Sequence, residues 1–551
     1  MKSMNGVVRY DRKSELHFAT WNDKFPEEKV CFENEDYLIH FDGIILNSNE
    51  LKSAFNCNSN QSILLQLYKS YGSELVFHAK GLYALVLWDK QAQTLLVTND
   101  LLSKRPLYYH RAEHGLCYAS SYYDILDILS AENVSPAFRM DAFEDMLQDG
   151  FVSGNKTYLH EVFYLKPFES LVVDLKNAST QLIHHQPKAF DLPNTEEAAA
   201  ARFEELFSAA VKLQFQKNTE YGYRQCAALS GGMDSRACVL KAHQLGLTED
   251  LVCFNYAQSD SLDFTISRQI AIDHGFDYLY YPMDAALFLS RLEESMCCNE
   301  CQQDGIGATG ARTMISLMNT SGFGLINIGI CGGELMGDLV QTTWQKAPSS
   351  RLLRLLNLVH ENIRARATTE ETKAEDYCFD ADLLFDHMRL SKNSSQMFVD
   401  KCESVSPFMD EDVVMFILQL NSGFLFHRKM YRRWMVKYLP NPYVLTSTCT
   451  PVDSSLLQEI LVKLKYELQA RLKGISAREM NPIDRWLETL PHHAQSCTCQ
   501  YEQTRQWLGQ ISGTEEILCA ATAGWDGSWS QRLLVLTALH AAKDICSRFS
   551  K

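Results

Sequence analysis

Seven residues, Leu229-Ser230-Gly231-Gly232-Met233-Asp234-Ser235, constrain the fold of this chain more than any other stretch. The apolar run at 226–229 predicts a short buried strand before them, and the apolar spacing over 236–245 predicts a helix after them. Two adjacent glycines let the backbone pass close to a ligand, and a helix start points unpaired amides at an anion. The stretch therefore predicts a strand, a phosphate-binding turn and a helix.

The side chains of this turn support the same interpretation. Ser230 and Ser235 would add hydroxyl donors, whereas Asp234 is an unfavourable neighbour of phosphate unless a cation such as Mg²⁺ lies between them. The alternative is an ordinary strand-to-helix turn capped by Asp or Ser, which a lone glycine pair would permit. The complete Ser-Gly-Gly-Met-Asp-Ser string in its strand and helix context favours nucleotide binding.

Beyond residue 221, apolar runs of strand length alternate with helical patterns. Strands are predicted at 226–229, 251–256, 278–281 and 324–329. This alternation predicts an α/β domain with a parallel, doubly wound sheet. Ligands of such sheets bind beyond the carboxyl ends of the strands, so 230–235, Asn255, Tyr256 and 329–334 are expected to meet there.

The chain of 551 residues is too long for one core and predicts two domains. The first part, to about residue 185, contains many short apolar or alternating runs and predicts a β-rich layered domain. A stretch with two prolines follows, and an amphipathic helix is predicted over 196–217. The predicted domains therefore cover 1–188 and 196–551.

Composition excludes several classes of function. A net charge of −16 argues against nucleic acid or an anionic membrane as the main partner. The first residues lack the apolar core of a secretory signal, and no run of about eighteen apolar residues occurs. The seventeen cysteines are scattered through predicted strands and helices, which fits free thiols in a reducing compartment. A cytoplasmic protein is expected.

The stretch 230–235 resembles the pyrophosphate loop of enzymes that use ATP to adenylate a carboxylate or carbonyl oxygen and release pyrophosphate. The flanking chain is similar to the asparagine synthetase superfamily, which includes β-lactam synthetases and lasso-peptide cyclases. The resemblance implies ATP and Mg²⁺ as cofactors, an adenine site at the strand end Asn255-Tyr256, and Asp263 near the nucleotide.

Three segments, 42–47, 81–89 and 99–109, are similar to signature stretches of the glutaminase domain of that superfamily. The resemblance implies a four-layer αββα sandwich of the N-terminal-nucleophile (Ntn) type, whose catalytic cysteine carries the free α-amine. Removal of Met1 would expose Lys2, and Cys31 is the first cysteine, so that nucleophile is missing. The oxyanion-hole asparagine of the family falls on Asp42, and an aspartate that holds glutamine falls on Asn60. We predict a domain that does not hydrolyse glutamine.

The stretch 329–338 resembles an acidic loop of the same superfamily. Aligned without a gap, Glu334 meets a second acid of that loop. With a one-residue deletion it meets the metal-binding aspartate, and this second version pairs Glu334 with Asp234 as Mg²⁺ ligands. The alternative is a glycine turn followed by a helix with Glu in its first turn.

Superfamily members place a lysine that stabilises pyrophosphate departure shortly after a Leu-Pro pair. No lysine follows Leu439-Pro440 within 441–451. Lys437 is the candidate substitute, with other basic residues close by in sequence, and the alternative is a solvated basic helix face. The other basic candidates are Arg428, Lys429, Arg432 and Arg433.

Taken together, the sequence predicts an ATP-dependent, AMP-forming amide ligase that joins a small-molecule or peptide carboxylate to an amine and works as a homodimer. Two alternatives stay open: a catalytically silent or regulatory nucleotide-binding protein, and an ammonia-dependent asparagine synthetase. The predicted catalytic residues are Glu334 and Lys437, and the metal ligands are Asp234 and Glu334. The predicted nucleotide-binding residues are Ser230, Gly231, Gly232, Asp234, Ser235, Asn255, Tyr256, Asp263 and Gly329.

Overall fold

A computed structural model describes residues 3–11, 13–20, 22–259, 261–342, 377–395, 398, 400–439, 461 and 483–549. The stretch after Leu439 that lacks the expected lysine lies outside the described residues. Within them, no helix has the length and apolar character needed to cross a lipid bilayer. The chain has the mixed α/β fold that the sequence predicts.

Two antiparallel sheets form the N-terminal part of the described chain. The five-stranded sheet has the order β2-β1-β8-β7-β9, and the six-stranded sheet has the order β11-β10-β6-β5-β4-β3. The strands are β1 (Asn5–Arg9), β2 (Ser14–His17), β3 (Val30–Glu33), β4 (Tyr37–Ile45), β5 (Gly81–Asp89), β6 (Thr94–Asn99), β7 (Tyr108–Ala112), β8 (Gly115–Ala119), β9 (Phe163–Tyr164), β10 (Glu169–Asp174) and β11 (Ser179–His184).

The two sheets pack face to face, and central strands such as β4, β5 and β8 are buried on both faces because helices cover their outer sides. Val86 and Val97 of one sheet and Leu116 and Tyr118 of the other share a buried core. Helices cover the outer faces, so the layers follow the order αββα. These helices are α1 (Ser48–Phe55) and α2 (Asn60–Tyr71) on the six-stranded sheet, and α3 (Tyr122–Ala131) and α4 (Met140–Asp149) on the five-stranded sheet.

A five-stranded parallel sheet organises the second part of the chain. Its order is β14-β13-β12-β15-β18, so the chain first winds outward on one side of β12 and then on the other. The two strands on either side of the reversal, β12 and β15, are neighbours. The strands are β12 (Arg224–Ala228), β13 (Val252–Ala257), β14 (Asp277–Pro282), β15 (Phe323–Asn327) and β18 (Glu403–Val405).

Helices lie on both faces of this sheet, since its strands are apolar on both sides. Apolar side chains of α5, α6 and α7 pack on one face and those of α10 on the other. These helices and the short ones between them are α5 (Glu196–Glu220), α6 (Met233–Gln244), α7 (Leu262–His274), α8 (Ala285–Ser290), α9 (Leu292–Cys298) and α10 (Ile306–Leu317).

The remaining elements follow β15. A π-helix covers Glu334–Asp338, and β16 (Val340–Thr342) pairs with β17 (Tyr377–Phe379). The later helices are α11 (Ala381–Ser395), α12 (Glu411–Gln419), α13 (Ser422–Leu425), α14 (Lys429–Tyr438), α15 (Ile483–Thr489), α16 (Pro491–Leu508), α17 (Glu515–Trp525) and α18 (Trp529–Phe549). Helix α18 packs against α3 and α4 of the N-terminal sandwich.

A buried polar network joins the sandwich to α5. Glu28 and Lys217 form an ion pair in which neither side chain is exposed. Ser48, Asn60 and Tyr221 complete the network through hydrogen bonds to this pair. Burial by itself would raise the pKa of Glu28, but the Lys217 ammonium and the hydrogen bonds from Tyr221 and Asn60 lower it overall. Asn60, where the resemblance places a glutamine-holding aspartate, thus hydrogen-bonds the carboxylate that pairs with Lys217 of α5.

Replacing this cation tests the network. We expect Lys217→Met to lower the free energy of unfolding by about 3–5 kcal/mol, because Glu28 stays buried without its partner. The control Lys437→Met breaks a largely exposed pair with Glu197 and should cost only about 0–1 kcal/mol. Urea unfolding followed by circular dichroism measures both values, and equal losses in the two variants would contradict the expectation.

The stability that the Glu28–Lys217 pair contributes should depend on pH in a defined direction. Because the pKa of Glu28 is lower in the folded protein than in the unfolded chain, the wild-type pair stabilises the fold above the unfolded pKa and loses this contribution as pH falls through the folded pKa. The difference between the wild type and Lys217→Met should therefore shrink in acid.

Candidate functional site

A cavity of about 330 Å³ opens where β12, β13 and β15 end. Its position is the point at which the winding of the parallel sheet reverses, where such sheets bind ligands. The wall is mostly apolar, and its charged members among the described residues are Asp234 and Asp263. The lining residues are Ala228, Leu229, Ser230, Gly232, Asp234, Ser235, Phe254, Asn255, Tyr256, Asp263, Gly307, Ala308, Ala311, Ile328, Gly329, Ile330 and Phe398.

The predicted phosphate loop forms one end of this cavity. The Ser235 hydroxyl accepts the Ser230 backbone N–H at 3.0 Å and lies 2.8 Å from the Ser230 Oγ. The Ser230 Oγ in turn accepts the Gly232 N–H at 3.1 Å. Gly232 is the N-cap of α6 and supplies no side-chain cap, so the first amides of this helix face the turn. The arrangement presents hydroxyls and a helix N-terminus to an anion.

Asp263 ties the middle of the loop to the neighbouring helix. Its Oδ1 accepts the Gly231 N–H at 2.8 Å, while its side chain is partly exposed to the cavity. Ser261 caps α7, so Asp263 lies in the first turn of that helix, where a negative charge is favoured. The Asn255 amide donates to the Asp263 backbone carbonyl at 3.3 Å. Asp263 therefore links the phosphate loop to the end of β13.

A second glycine-rich loop, 329–333, lies against the phosphate loop. A Cβ placed on Gly329 would come within 2.4 Å of the Ser235 backbone nitrogen, and one on Gly332 within 2.4 Å of the Asp234 Cγ. Only residues without a side chain permit this approach. The Gly333 N–H donates to Asp234 Oδ2 at 3.0 Å. The contact fixes the Asp234 carboxylate from one side.

Tyr431 and Arg428 act on Asp234 from α14 and the turn before it. The Tyr431 hydroxyl is buried and donates to Asp234 Oδ1 at 2.9 Å. Burial raises the pKa of the Asp234 carboxyl to about 6, although the Arg428 charge and the Tyr431 hydrogen bond favour its anionic form. Glu334 and Asp338 are like charges and raise this pKa further. A cation near Asp234 would therefore relieve an electrostatic cost.

The structure brings most of the predicted nucleotide residues together. Eight of them line the one cavity, and Gly231 sits between two of them in the loop. Glu334 is close enough to influence Asp234 electrostatically, and it begins the short π-helical segment that ends at Asp338. The ligand roles of these residues stay predictions.

Lys437 does not reach this site. It lies in the last turn of α14, is not part of the cavity wall, and its Nζ is 2.6 Å from the Glu197 Oε1 near the start of α5. The sequence alternative, a solvated basic helix face, describes this residue better. Arg428, another of the basic candidates, does influence Asp234 electrostatically. Its guanidinium also forms a bidentate ion pair with Asp338.

Sequence reasoning missed two parts of the site. Tyr431 lies in a stretch of basic residues, which favours an exposed helix face. Its spacing of three from Trp434, however, indicates that the two aromatic side chains share the buried face of the helix. Helix α10 supplies Gly307, Ala308 and Ala311 to the wall. The run of small residues at 305–311 was the signal for a helix that leaves room at its surface.

The fold and the site together define a class: an αββα amidotransferase-type sandwich joined to a pyrophosphate-loop nucleotide domain. Residues 28–184 match the family described as a glutamine amidotransferase domain. A putative asparagine synthetase [glutamine-hydrolyzing] 2 of Methanocaldococcus jannaschii is 24% identical over 265 residues, which are 45% of this chain and 49% of that protein. The chain is thus similar to asparagine synthetases over about half of its length, and residues 28–184 are similar to a glutamine amidotransferase domain.

Two further relatives show similar overlap. Asparagine synthetase [glutamine-hydrolyzing] 1 of Bacillus subtilis is 21% identical, with 45% of this chain and 39% of that protein covered. Amidase chry2 of Gibberella zeae is 23% identical, with 51% and 43% covered. The matches therefore span about half or less of the length of these relatives.

The glycine contacts generate a test of the site. Gly332→Ala would drive a Cβ into the Asp234 carboxylate, and overpacking of this kind costs about 1–3 kcal/mol. We expect at least about a fivefold loss of ATP affinity, since 1.4 kcal/mol is about tenfold. Isothermal titration calorimetry with ATP and magnesium measures the change.

The matched control is Gly322→Ala at the opposite end of the same strand. A Cβ there meets no atom within 4 Å, so affinity should equal that of the wild type. Equal affinities in both variants would show that the second glycine loop does not shape the site.

Proposed function

We propose that this protein is an ATP-dependent, AMP-forming amide ligase that activates a carboxylate without hydrolysing glutamine. One observation carries the proposal: the hydroxyls of Ser230 and Ser235 and the N-terminus of α6 converge on one end of a cavity at the reversal point of the sheet, next to Asp234. The similarity of the chain to asparagine synthetases supports the same chemistry.

The reaction would proceed in two steps. A carboxylate oxygen of the substrate attacks the α-phosphorus of ATP, the bond to the bridging oxygen breaks, and pyrophosphate leaves with the bonding electrons. An amine then attacks the acyl carbon, and AMP leaves as the amide forms. In the first step, the Ser230 and Ser235 hydroxyls and the α6 N-terminus stabilise the charge that develops on pyrophosphate. The protein supplies position and electrostatic stabilisation.

The residues beside the phosphate loop fit a Mg²⁺ ion. Mg²⁺ is usually held by one or two carboxylates together with substrate phosphates, and Asp234 and Glu334 are proposed to supply those carboxylates. Among the residues that the structure describes, no group of three or more His, Cys, Asp or Glu would hold a metal alone. When bound, the ion would neutralise phosphate charge. The unfavourable charge of Asp234 near two other acids is the observation that supports this assignment.

Three features of the sandwich support the absence of glutamine hydrolysis. Cys31, the first cysteine of the sequence, lies within β3 opposite His40 of β4, so its own nitrogen belongs to a peptide bond and is not a free amine. Asp42, at the expected oxyanion-hole position, is buried in β4. Although burial would lower the pKa of Arg105, the carboxylates of Glu403 and Asp42 hold it above its usual value. A carboxylate engaged with a guanidinium cannot donate to an oxyanion. The amine would then come from ammonia or a second substrate.

The position of Lys437 favours one rival, a nucleotide-binding protein without catalysis. A pyrophosphate-release assay over a panel of carboxylates and amines separates the two, with glutamine as one nitrogen source. We propose that at least one pair yields pyrophosphate and AMP and that glutamine yields no glutamate. If the protein binds nucleotide but no combination of carboxylate and amine releases pyrophosphate, the non-catalytic alternative is favoured. A further reaction with aspartate, ATP and ammonium tests for asparagine synthesis.

Once an active pair is known, Asp234→Asn should lower kcat/KM for pyrophosphate release by about a hundredfold, or about 2.7 kcal/mol. The reason is the loss of the carboxylate that faces the phosphates, while the size of the side chain is kept. Steady-state kinetics measure the change. An unaltered rate would remove Asp234 from the mechanism.

Substitutions of two basic residues should change the rate in this assay to very different extents. Lys437→Met should change kcat/KM by less than about twofold, because exposed ion pairs such as that with Glu197 contribute little. Arg428→Met should reduce it by about tenfold or more, because Arg428 offsets the charge of Asp234. The reverse order would restore the catalytic role predicted for Lys437.

A further inference from the structure

Three amides of the phosphate loop have partners of two different kinds. The Ser230 and Gly232 N–H groups donate to the neutral hydroxyls of Ser235 and Ser230. The Gly231 N–H donates to the carboxylate of Asp263 at 2.8 Å. Hydroxyls can rotate to donate to a phosphate oxygen, whereas an ionised carboxylate only accepts. Asp263 is therefore the partner that repels the anion which the loop is built to bind.

The Gly231 amide and the start of α7 keep Asp263 in place, and several neighbouring groups favour its anionic form. Burial raises its pKa, but the Gly231 amide, the Asn255 side chain and the charge of Arg236 oppose that rise. Its place in the first turn of α7 also favours the negative charge. Tyr256 is the other titratable group on the facing strand end, and burial raises its pKa to about 12, so it stays neutral.

The charge of Asp263 is costly for a bound polyanion. With Asp234 it places two carboxylates on the cavity wall, and the described lining residues include no lysine, arginine or histidine. Like charges in a partly buried site repel more strongly than in water, because the surroundings screen them less. Asp234 has a proposed role in holding Mg²⁺, but neither of the two proposed steps uses a charge at Asp263.

We propose that Asp263 is a charge gate on the phosphate loop: its carboxylate binds the Gly231 amide in competition with pyrophosphate and so promotes release of this product. The inference rests on the proposed function, because it takes pyrophosphate as the ligand. It assigns Asp263 a positioning role at Gly231 and an electrostatic effect on the product.

The test compares binding of pyrophosphate with magnesium to the full-length protein by isothermal titration calorimetry. Asp263→Asn keeps the shape and an acceptor oxygen for Gly231 but removes the charge, and we expect it to bind pyrophosphate roughly tenfold more tightly at low salt. Stopped-flow measurement should show slower release. Asp263→Ser, also neutral and able to accept the amide, should shift affinity in the same direction.

Two comparisons separate charge from structure. Asp273→Asn makes the same charge change on an exposed residue of α7, ten residues further along, and should bind as the wild type does. The advantage of Asp263→Asn should also shrink as ionic strength rises from about 0.05 M to about 0.5 M, because salt screens charge but not steric change.

The outcomes are distinct. Tighter binding in the two Asp263 variants, with the salt dependence above, supports the charge gate. Equal or weaker binding in both variants, while the wild type binds pyrophosphate, overturns it and leaves the proposed function intact. A wild type that binds neither ATP nor pyrophosphate overturns the proposed function, and the charge gate with it.

Discussion

The close contact between two glycine-bearing loops sets the geometry of the candidate site. Gly329 and Gly332 bring the backbone after β15 against Ser235 and Asp234, at distances that any Cβ would block. The parallel pairing of β12 with β15 places both loops at the same edge of the sheet. Without this contact the Asp234 carboxylate would lose the Gly333 amide, and the phosphate loop would lose the surface that holds its shape.

Buried ion pairs connect the sandwich to the second part of the chain. Arg105 binds Glu403 on β18 at 2.8 Å, and Lys104 binds Glu411 at 2.7 Å, with all four side chains at most 13% exposed. Buried pairs contribute little net stability but are costly to break, so they favour one relative arrangement. Lys104 and Arg105 belong to a signature stretch of the glutaminase resemblance, which here makes contacts between domains. These contacts give the stretch a structural role between the two parts of the chain.

Local pattern predicted the parts of the structure that depend on neighbouring residues. The strand-turn-helix at Ser230 to Ser235 and the four strands predicted for the parallel sheet all followed from periodicity. Strand β18, three residues long, could not be predicted, since it exists only by pairing with β15. Tyr431 meets Asp234 across almost two hundred residues of sequence, and nothing local places its hydroxyl there. The contact of Lys437 with Glu197 could not be predicted either, because Glu197 belongs to a distant helix.

Helix α18 has a consequence for how the protein is made. Leu536 and Leu539 of this helix pack with Ile125 of α3 and Phe143 of α4, so the outer layer of the first domain is completed by residues at 529–549. During synthesis, the apolar faces of α3 and α4 emerge from the ribosome several hundred residues before their cover. The nascent sandwich must remain partly uncovered through that interval, which exposes it to aggregation and makes it a natural client of chaperones.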